Sequence, residues 1–510
     1  MPPAPDEASF LSPLVRRLVV GLLLITGLGI RLYRIPEWPL DFHPTRQYRS
    51  LLLASAYYQR SLPDAEPQDR ELAETRLARI NFLEPPIMEF IACGLYHMGG
   101  GENARAPRIF ASFMWVAAGV LLYLLAAKTA GADGALLALA FYLFAPFGLT
   151  ASTSFQPDPL MVSLIIAAVW AMWHHWERPS RLRLVLVVVL GAAAIFVKPT
   201  ALFFVYGGWA GCVLSAWRGR RIRSWVRTLA PFFLFILPAG VYFAACLVGD
   251  ESTSLQARNS VMPHLWGELT YWRRWLQLAC RVIGGVPLCV AVASLALFPR
   301  GPGRGIVLGL WGGYLLYGLV FSYHIHTHNY YHLPLIPVVA VTLAAPGTVV
   351  MGRLRDVGRR WSGGLALFAA ALIGIFFSVD AARDVPSSSR IDQMVAEARR
   401  IGEAVNHSTR TIFLAAHYGK PLQYHGGIYG LNWPWSGDVR AERLRGERVP
   451  SAAERLEELR AQIDAEYFIV AHGRQFREQT ELRELLSSNY PILARDPGFL
   501  VFDLRAGAGR

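Results

Sequence analysis

Cysteine is scarce, with five in 510 residues: Cys93, Cys212, Cys246, Cys280 and Cys289. They are scattered and include no C-x-x-C pair, so neither a disulfide framework nor a zinc site is indicated. No glycine-rich phosphate loop is present, and nothing points to a nucleotide site. Internal repeats and long disordered segments are also missing. Charged residues make up only 17% of the chain. The formal charge is +13, yet acids and bases nearly balance from Ala381 to Arg510, so almost all of the excess lies in the first three quarters. That distribution matches orientation signals of membrane helices and argues against a nucleic-acid footprint.

What is abundant is apolar sequence. Hydrophobic residues reach 53% and the mean hydropathy is +0.31. Apolar runs of about twenty residues, the length that crosses a bilayer, recur along the chain. We read about eleven spans, near 14–33, 105–127, 132–150, 157–176, 182–198, 200–217, 228–248, 281–298, 304–323, 332–350 and 363–380. The first is longer than a signal-peptide core and no cleavage site follows it, so it is expected to stay as a helix.

Arg16 and Arg17, Lys128, Arg178 to Arg183, Arg218 to Arg227, Arg300 and Arg304, and Arg353 to Arg360 fall in every second loop. That side is assigned to the cytoplasm. The pattern holds only if the short apolar stretch Pro85–Met98 lies on or dips into the outer leaflet instead of crossing. The N-terminus is then cytoplasmic and the C-terminal part is outside. The predicted fold class is a mainly α polytopic membrane protein with external juxtamembrane helices and a small C-terminal α/β extracytoplasmic domain. Residues 1–384 form the membrane domain, with 34–104 as its first external loop, and 385–510 form the outer domain. A helix is expected near Thr45–Gln59. In the outer domain, helices are expected at Ile391–Val405, Ala452–Ile463 and Gln475–Ser487, and strands at Thr411–Ala416, Tyr467–Ala471 and Phe499–Leu504.

Side chains capable of chemistry collect in the other, external loops. Asp41-Phe42-His43-Pro44-Thr45-Arg46-Gln47 follows the first span. Its carboxylate suits a general base or a metal, and Arg46 suits a phosphate; a helix cap by Asp41 is the bland alternative. Gln156-Pro157-Asp158-Pro159 fixes a second acid between prolines, either a site carboxylate, a metal ligand or a helix cap. Glu84 precedes Pro85-Pro86, and Arg105 and Arg108 open the second span. Lys198 in Val197-Lys198-Pro199-Thr200 breaks two apolar runs, as a phosphate partner or a snorkelling cation. His324, His326, His328 and His332 with Tyr330 and Tyr331 crowd one loop. If that loop is extended, His324, His326 and His328 share a face, which suits a metal; contact with a diphosphate or sugar is the preferred reading, and interfacial anchoring the plain one. In the outer part, His417 to Gly427 and Asn432-Trp433-Pro434-Trp435 suit either carbohydrate contact or a structured loop.

The order of these motifs resembles the GT-C glycosyltransferases (glycosyltransferase family 39-type), in particular the bacterial branch related to protein O-mannosyltransferases and to the aminoarabinose transferase of lipid A. The resemblance runs over nearly the whole chain: an acid after span one, the Glu84-Pro85-Pro86 helix, Arg105-Ala106-Pro107-Arg108, Asp158, the Tyr330-Tyr331-His332-Leu333-Pro334 loop and an outer α/β domain. It implies a membrane glycosyltransferase that moves a sugar from a polyprenyl-phosphate donor to a glycan, lipid or protein acceptor at the outer face of a bacterial inner membrane. By the same resemblance Asp41 is the general base, with Asp158 and His43 beside it in the catalytic set. Arg46, Lys198, His328, Tyr331, His332 and Arg108 are donor or phosphate contacts. No cofactor is required; a divalent metal is allowed, with Asp41, Asp158 and His326 as candidate ligands. The chain departs from the mannosyltransferases in having Asp41-Phe42-His43 in place of an Asp-Glu pair, and from many relatives in having Glu84 in place of Lys. A transporter or lipid-linked-glycan flippase is the main rival. Its ionisable groups belong near the bilayer midplane, whereas here they fall at external edges.

Overall fold

The computed structural model describes residues 10–33, 35, 38–80, 84–218, 225–247, 261–299, 301–356, 368, 372, 375–376, 388–444 and 448–507. The chain divides into two compact units. The first comprises Met1–Pro36, Phe82–Ile87 and Pro107–Asp384; the second comprises Glu37–Asn81, Met88–Ala106 and Val385–Arg510.

The first unit is helical. Helices occupy Pro13–Tyr33, Ala106–Ala130, Ala132–Phe144, Pro157–Glu177, Arg181–Val197, Leu202–Arg218, Trp225–Leu247, Pro302–Val320 and Leu335–Asp356, with a bent pair at Leu269–Ile283 and Gly285–Ser294. Ten of the expected spans therefore meet a helix, and 363–380 lies largely outside the described residues. By length and composition, six helices among the described residues can cross a membrane, or seven if the bent pair, which turns by 99°, is one span. Several helices begin on proline, including those at Pro157 and Pro302. A missing N–H costs nothing in a first turn, and the fixed φ already suits the helix.

Helices Leu202–Arg218 and Pro302–Val320 pack backbone to backbone. Gly207 faces Gly309, and Gly211 faces Gly305; a Cβ at any of these would overlap the opposing carbonyl. The four-residue spacing of Gly305, Gly309 and Gly313 matches that of Gly207 and Gly211, the small-residue stripe that lets apolar helices approach closely. Gly309→Ala is therefore expected to force the helices apart and destabilise the unit by about 1–3 kcal/mol. A lowered melting midpoint checks this; an unchanged midpoint would mean that the close approach is not needed.

The second unit holds helices Pro44–Ser61, Pro67–Arg79 and Ile87–Gly99 together with a five-stranded sheet. The strands are β1 Thr411–Leu414, β2 Gly430–Asn432, β3 Tyr467–Val470, β4 Ile492–Arg495 and β5 Leu500–Asp503, in the order β2-β1-β3-β5-β4. β1 runs parallel to β2 and β3, whereas β5 is antiparallel to β3 and β4. Ile401, Val405, Phe413, Leu422, Ile469 and Val501 form the core between this sheet and helix Ser388–Ala404. The expected strands appear as β1, β3 and β5. Helix Ala452–Ile463 matches its expected bounds and starts in a Ser451–Glu454 capping box.

Candidate active site

Two buried arginines shape the loop that enters helix Pro157–Glu177. Arg31 donates from Nε to Ser152 Oγ (2.8 Å), from Nη1 to the Gly27 carbonyl (2.8 Å) and from Nη2 to the Leu143 carbonyl (3.0 Å). Arg108 donates from Nε to the Thr153 carbonyl (2.8 Å). Both are fully buried. A guanidinium with several fixed donors can hold loop carbonyls that no helix satisfies. Arg108, expected as a donor contact, thus grips the loop that carries Gln156 and Asp158. Arg31 does the same and was not expected; a charge on the last turn of helix Pro13–Tyr33, far from Arg16 and Arg17, was its only signal.

Asp158 and Lys198 meet in the interior. Lys198 Nζ lies 2.7 Å from Asp158 Oδ1 and 3.9 Å from Glu84 Oε1. Asp158 is 1% exposed and Lys198 3%. Asp158 therefore serves as an ion-pair partner and not as a helix cap, since the N-cap position belongs to Gln156. The proline after Lys198 keeps that residue extended (φ −155°, ψ 120°), which ends helix Arg181–Val197 and turns the side chain inward. The ammonium also lies over the faces of Tyr330 (5.3 Å) and Tyr331 (5.2 Å). Contact of an ammonium with two aromatic faces is attractive, and more so away from water. One short bond to Asp158 uses one of three ammonium protons.

Polar capacity is left over around this pair. Asp158 Oδ2 and both ends of the Gln156 amide are buried without a hydrogen-bond partner among the described residues. Each such group costs about 1–3 kcal/mol unless something meets it. By sequence alone Gln156 is marked only as the neighbour of Pro157. Gln156→Met keeps the volume and removes both orphaned ends. It is expected to raise the melting midpoint while lowering transfer; unchanged transfer in a stabilised protein would make Gln156 a filler.

The histidine-rich loop is not extended. Ser322–Thr327 is helical and Asn329–His332 forms a 3-10 turn, so His324, His326 and His328 do not alternate along a strand. His324 stacks on Tyr331 (4.7 Å, 6°), and His328 shares a 2.7 Å bond with Thr327 Oγ1. His326 Nδ1 lies 2.7 Å from the Ser322 carbonyl and so donates to it. His332 is buried, and both of its nitrogens are engaged. Trp275 Nε1 donates to Tyr314 Oη (2.8 Å), that hydroxyl meets His332 Nδ1 (2.8 Å), and Nε2 meets the Ile325 carbonyl (2.8 Å). A carbonyl only accepts, so Nε2 carries the proton and Nδ1 accepts from Tyr314. In this arrangement both nitrogens of His332 fasten the turn. Tyr331 remains beside Lys198.

Asp41, His43 and Arg46 belong to the second unit. Asp41 is half-buried, and Gln47 Nε2 lies 3.4 Å from its Oδ1 and 2.5 Å from the Phe42 carbonyl. His43, not Asp41, occupies the N-cap of helix Pro44–Ser61, in the left-handed region (φ 44°, ψ 62°) and without a side-chain cap bond. A non-glycine residue held there stores about 1–2 kcal/mol of strain, a feature that gathers at functional loops. Arg46 is half-buried in the first helical turn. The three proposed metal candidates, Asp41, Asp158 and His326, form no ligand cluster: among the described residues no group of three or more His, Cys, Asp or Glu is placed to hold a metal ion.

Farther along, Trp433 is buried and donates to Gln479 Oε1 (2.8 Å), and Trp435 donates to the Ala415 carbonyl (3.0 Å). Their indole N–H groups fasten this stretch to Gln479 and to the end of β1. His425 shares a 2.9 Å bond with Tyr48 Oη and meets Trp38 edge-on (4.4 Å). Burial, with help from Arg399, pushes its pKa down to about 4. The unfolded chain binds that proton near pH 6.5, so stability should fall as pH drops from about 6.5 to 4. Thermal unfolding of the full chain across that range checks this, and His425→Gln should flatten the profile.

Residues 83–242 match the family described as dolichyl-phosphate-mannose-protein mannosyltransferase. No curated protein matches the chain by sequence. Among solved structures, ArnT from Cupriavidus metallidurans bound to undecaprenyl phosphate is similar at 13% identity and TM-score 0.57, covering 96% of this chain and 97% of that one. The Archaeoglobus fulgidus oligosaccharyltransferase in its apo form is similar at 10% identity and TM-score 0.56, covering 94% and 73%. The arabinofuranosyltransferase AftD from Mycobacteria is similar at 15% identity and TM-score 0.54, covering 98% of this chain but 40% of that one. The chain thus has the fold of the GT-C membrane glycosyltransferases, and its residues 83–242 match their mannosyltransferase branch.

Proposed function

We propose that this protein is a membrane glycosyltransferase that uses a polyprenyl-phosphate sugar and an acceptor outside the cytoplasm. The observation that carries this reading is the buried Lys198–Asp158 pair, with Glu84, Tyr330 and Tyr331 around it and unsatisfied polar atoms of Gln156 beside it. A lysine paired with acids in a dry interior has spare donors for a phosphate oxygen. It can also stabilise the charge that grows on a leaving phosphate. The undecaprenyl phosphate in the ArnT structure supports the same class of ligand here.

In the proposed reaction, the acceptor oxygen attacks the anomeric carbon and the carbon–oxygen bond to phosphate breaks. Polyprenyl phosphate leaves with the bonding pair. Asp41 takes the acceptor proton, a task that one positioned carboxylate can perform. Tyr331 and Lys198 contact the phosphate, Asp158 orients Lys198, and His43, Arg46 and His328 complete the donor and acceptor contacts. The acceptor is a cell-envelope glycan, lipid or protein, and the membrane is the bacterial inner membrane, with the N-terminus inside and residues 385–510 outside. The test is incubation of purified protein with a panel of polyprenyl-phosphate sugars and membrane acceptors. Transfer with release of polyprenyl phosphate supports the reading. Movement of the intact lipid-linked sugar across a bilayer without cleavage would favour a flippase.

A further inference from the structure

The second unit contains a polar cavity of about 260 Å³ that the reaction above does not use. Its wall has an aromatic side, Trp38 and Tyr424, whose rings meet edge-on at 6.0 Å. The remainder carries Arg76 and Arg399 against Asp69 and Glu102. Glu102 is held in place: Gln59 Nε2 and Ser55 Oγ donate to its Oε1 at 2.7 and 3.0 Å, and its charge acts on Tyr424, Arg76 and Tyr96.

Arg76 supplies the second, independent observation. It is 4% exposed and donates from Nη2 to the Gln423 carbonyl (2.7 Å), yet its Nε is buried without a partner among the described residues. The same holds for the Tyr96 hydroxyl and Gln423 Oε1. Buried donors and acceptors are nearly always satisfied. Here an unsatisfied guanidinium nitrogen belongs to a residue that lines the cavity.

We infer that this cavity binds one neutral sugar ring of a glycan. Two guanidiniums and two carboxylates cancel in charge, which gives no advantage to an ionised ligand. They do present donors and acceptors side by side, and each hydroxyl of a polyol needs both. The aromatic side suits the apolar C–H face of such a ring, as rings with a polar rim favour amphipathic partners. The volume lies just below the range of drug-sized sites, which matches a single ring. The inference stands apart from the Lys198 and Asp41 chemistry, and its test requires no transfer.

The experiment is saturation-transfer NMR on the full chain in nanodiscs with methyl glycosides of mannose, glucose, galactose and arabinose. At least one is expected to bind saturably, with a dissociation constant on the order of 1 mM. Arg399→Gln and Glu102→Gln should each weaken it about tenfold with an unchanged melting midpoint. A short-chain polyprenyl-phosphate sugar serves as competitor: co-binding of glycoside and donor supports a glycan site apart from the transfer reaction, and displacement, which would make the cavity the donor's own, overturns it. Absence of binding by every glycoside, or binding that neither substitution weakens, overturns the inference and leaves a solvent cavity.

Discussion

Lys198→Met is expected to weaken polyprenyl-phosphate binding by roughly 30- to 4,000-fold, the range for removing one member of a buried, hydrogen-bonded charge pair. The single variant also strands Asp158, which is 1% exposed. An uncompensated buried carboxylate costs about 3–5 kcal/mol, so the protein should melt earlier as well. Folding and binding are separated by the double variant Lys198→Met/Asp158→Asn. With both charges gone, most of the lost stability should return, because removing both members of a buried pair is often neutral. Lipid-phosphate binding should not return. Recovery of both would make the pair a structural fastener between Pro157–Glu177 and the turn after Arg181–Val197.

The second large effect is expected at Asp41. Asp41→Asn keeps size and polarity but removes the basic lone pair, and should lower the turnover rate by about 10²–10⁴-fold. Binding of polyprenyl phosphate and the melting midpoint should stay near those of the parent, because no contact to the lipid phosphate is assigned to Asp41. A fall in binding with turnover intact at saturation would make Asp41 a binding residue. Retained transfer would remove it from the mechanism.

Much of the helical frame was legible because apolar runs and prolines at helix starts are local signals. The helix expected near Thr45–Gln59 is present at Pro44–Ser61, and that expected within Pro85–Met98 at Ile87–Gly99. The strands β1, β3 and β5 were legible as β-branched and aromatic runs. β2 was not, since Gly430-Leu431-Asn432 is short and carries two residues poor in strand propensity. β4 was missed for another reason: it is a largely exposed edge with a register shift between Ile492 and Ala494. At the candidate site, Asp158 and Lys198 were each singled out, but their pairing across 40 residues is a property of packing that no local pattern encodes. Nor does periodicity tell that His332 spends both nitrogens on Tyr314 and Ile325. Gln156 is the sharpest omission, because an amide matters here only through what fails to meet it. The glycine spacing at 207 and 211, and at 305, 309 and 313, was not singled out, because it marks a seam only once the two helices are placed against each other.

The measurement that bears most directly on the central claim is a cryo-EM structure of the full chain in a lipid nanodisc with polyprenyl phosphate added. The account predicts phosphate oxygens within about 4 Å of Lys198 Nζ, the reach of an ion pair, with Asp158 still holding the ammonium from its other side. A lipid phosphate bound elsewhere, with Lys198 tied only to Asp158 and Glu84, would contradict it.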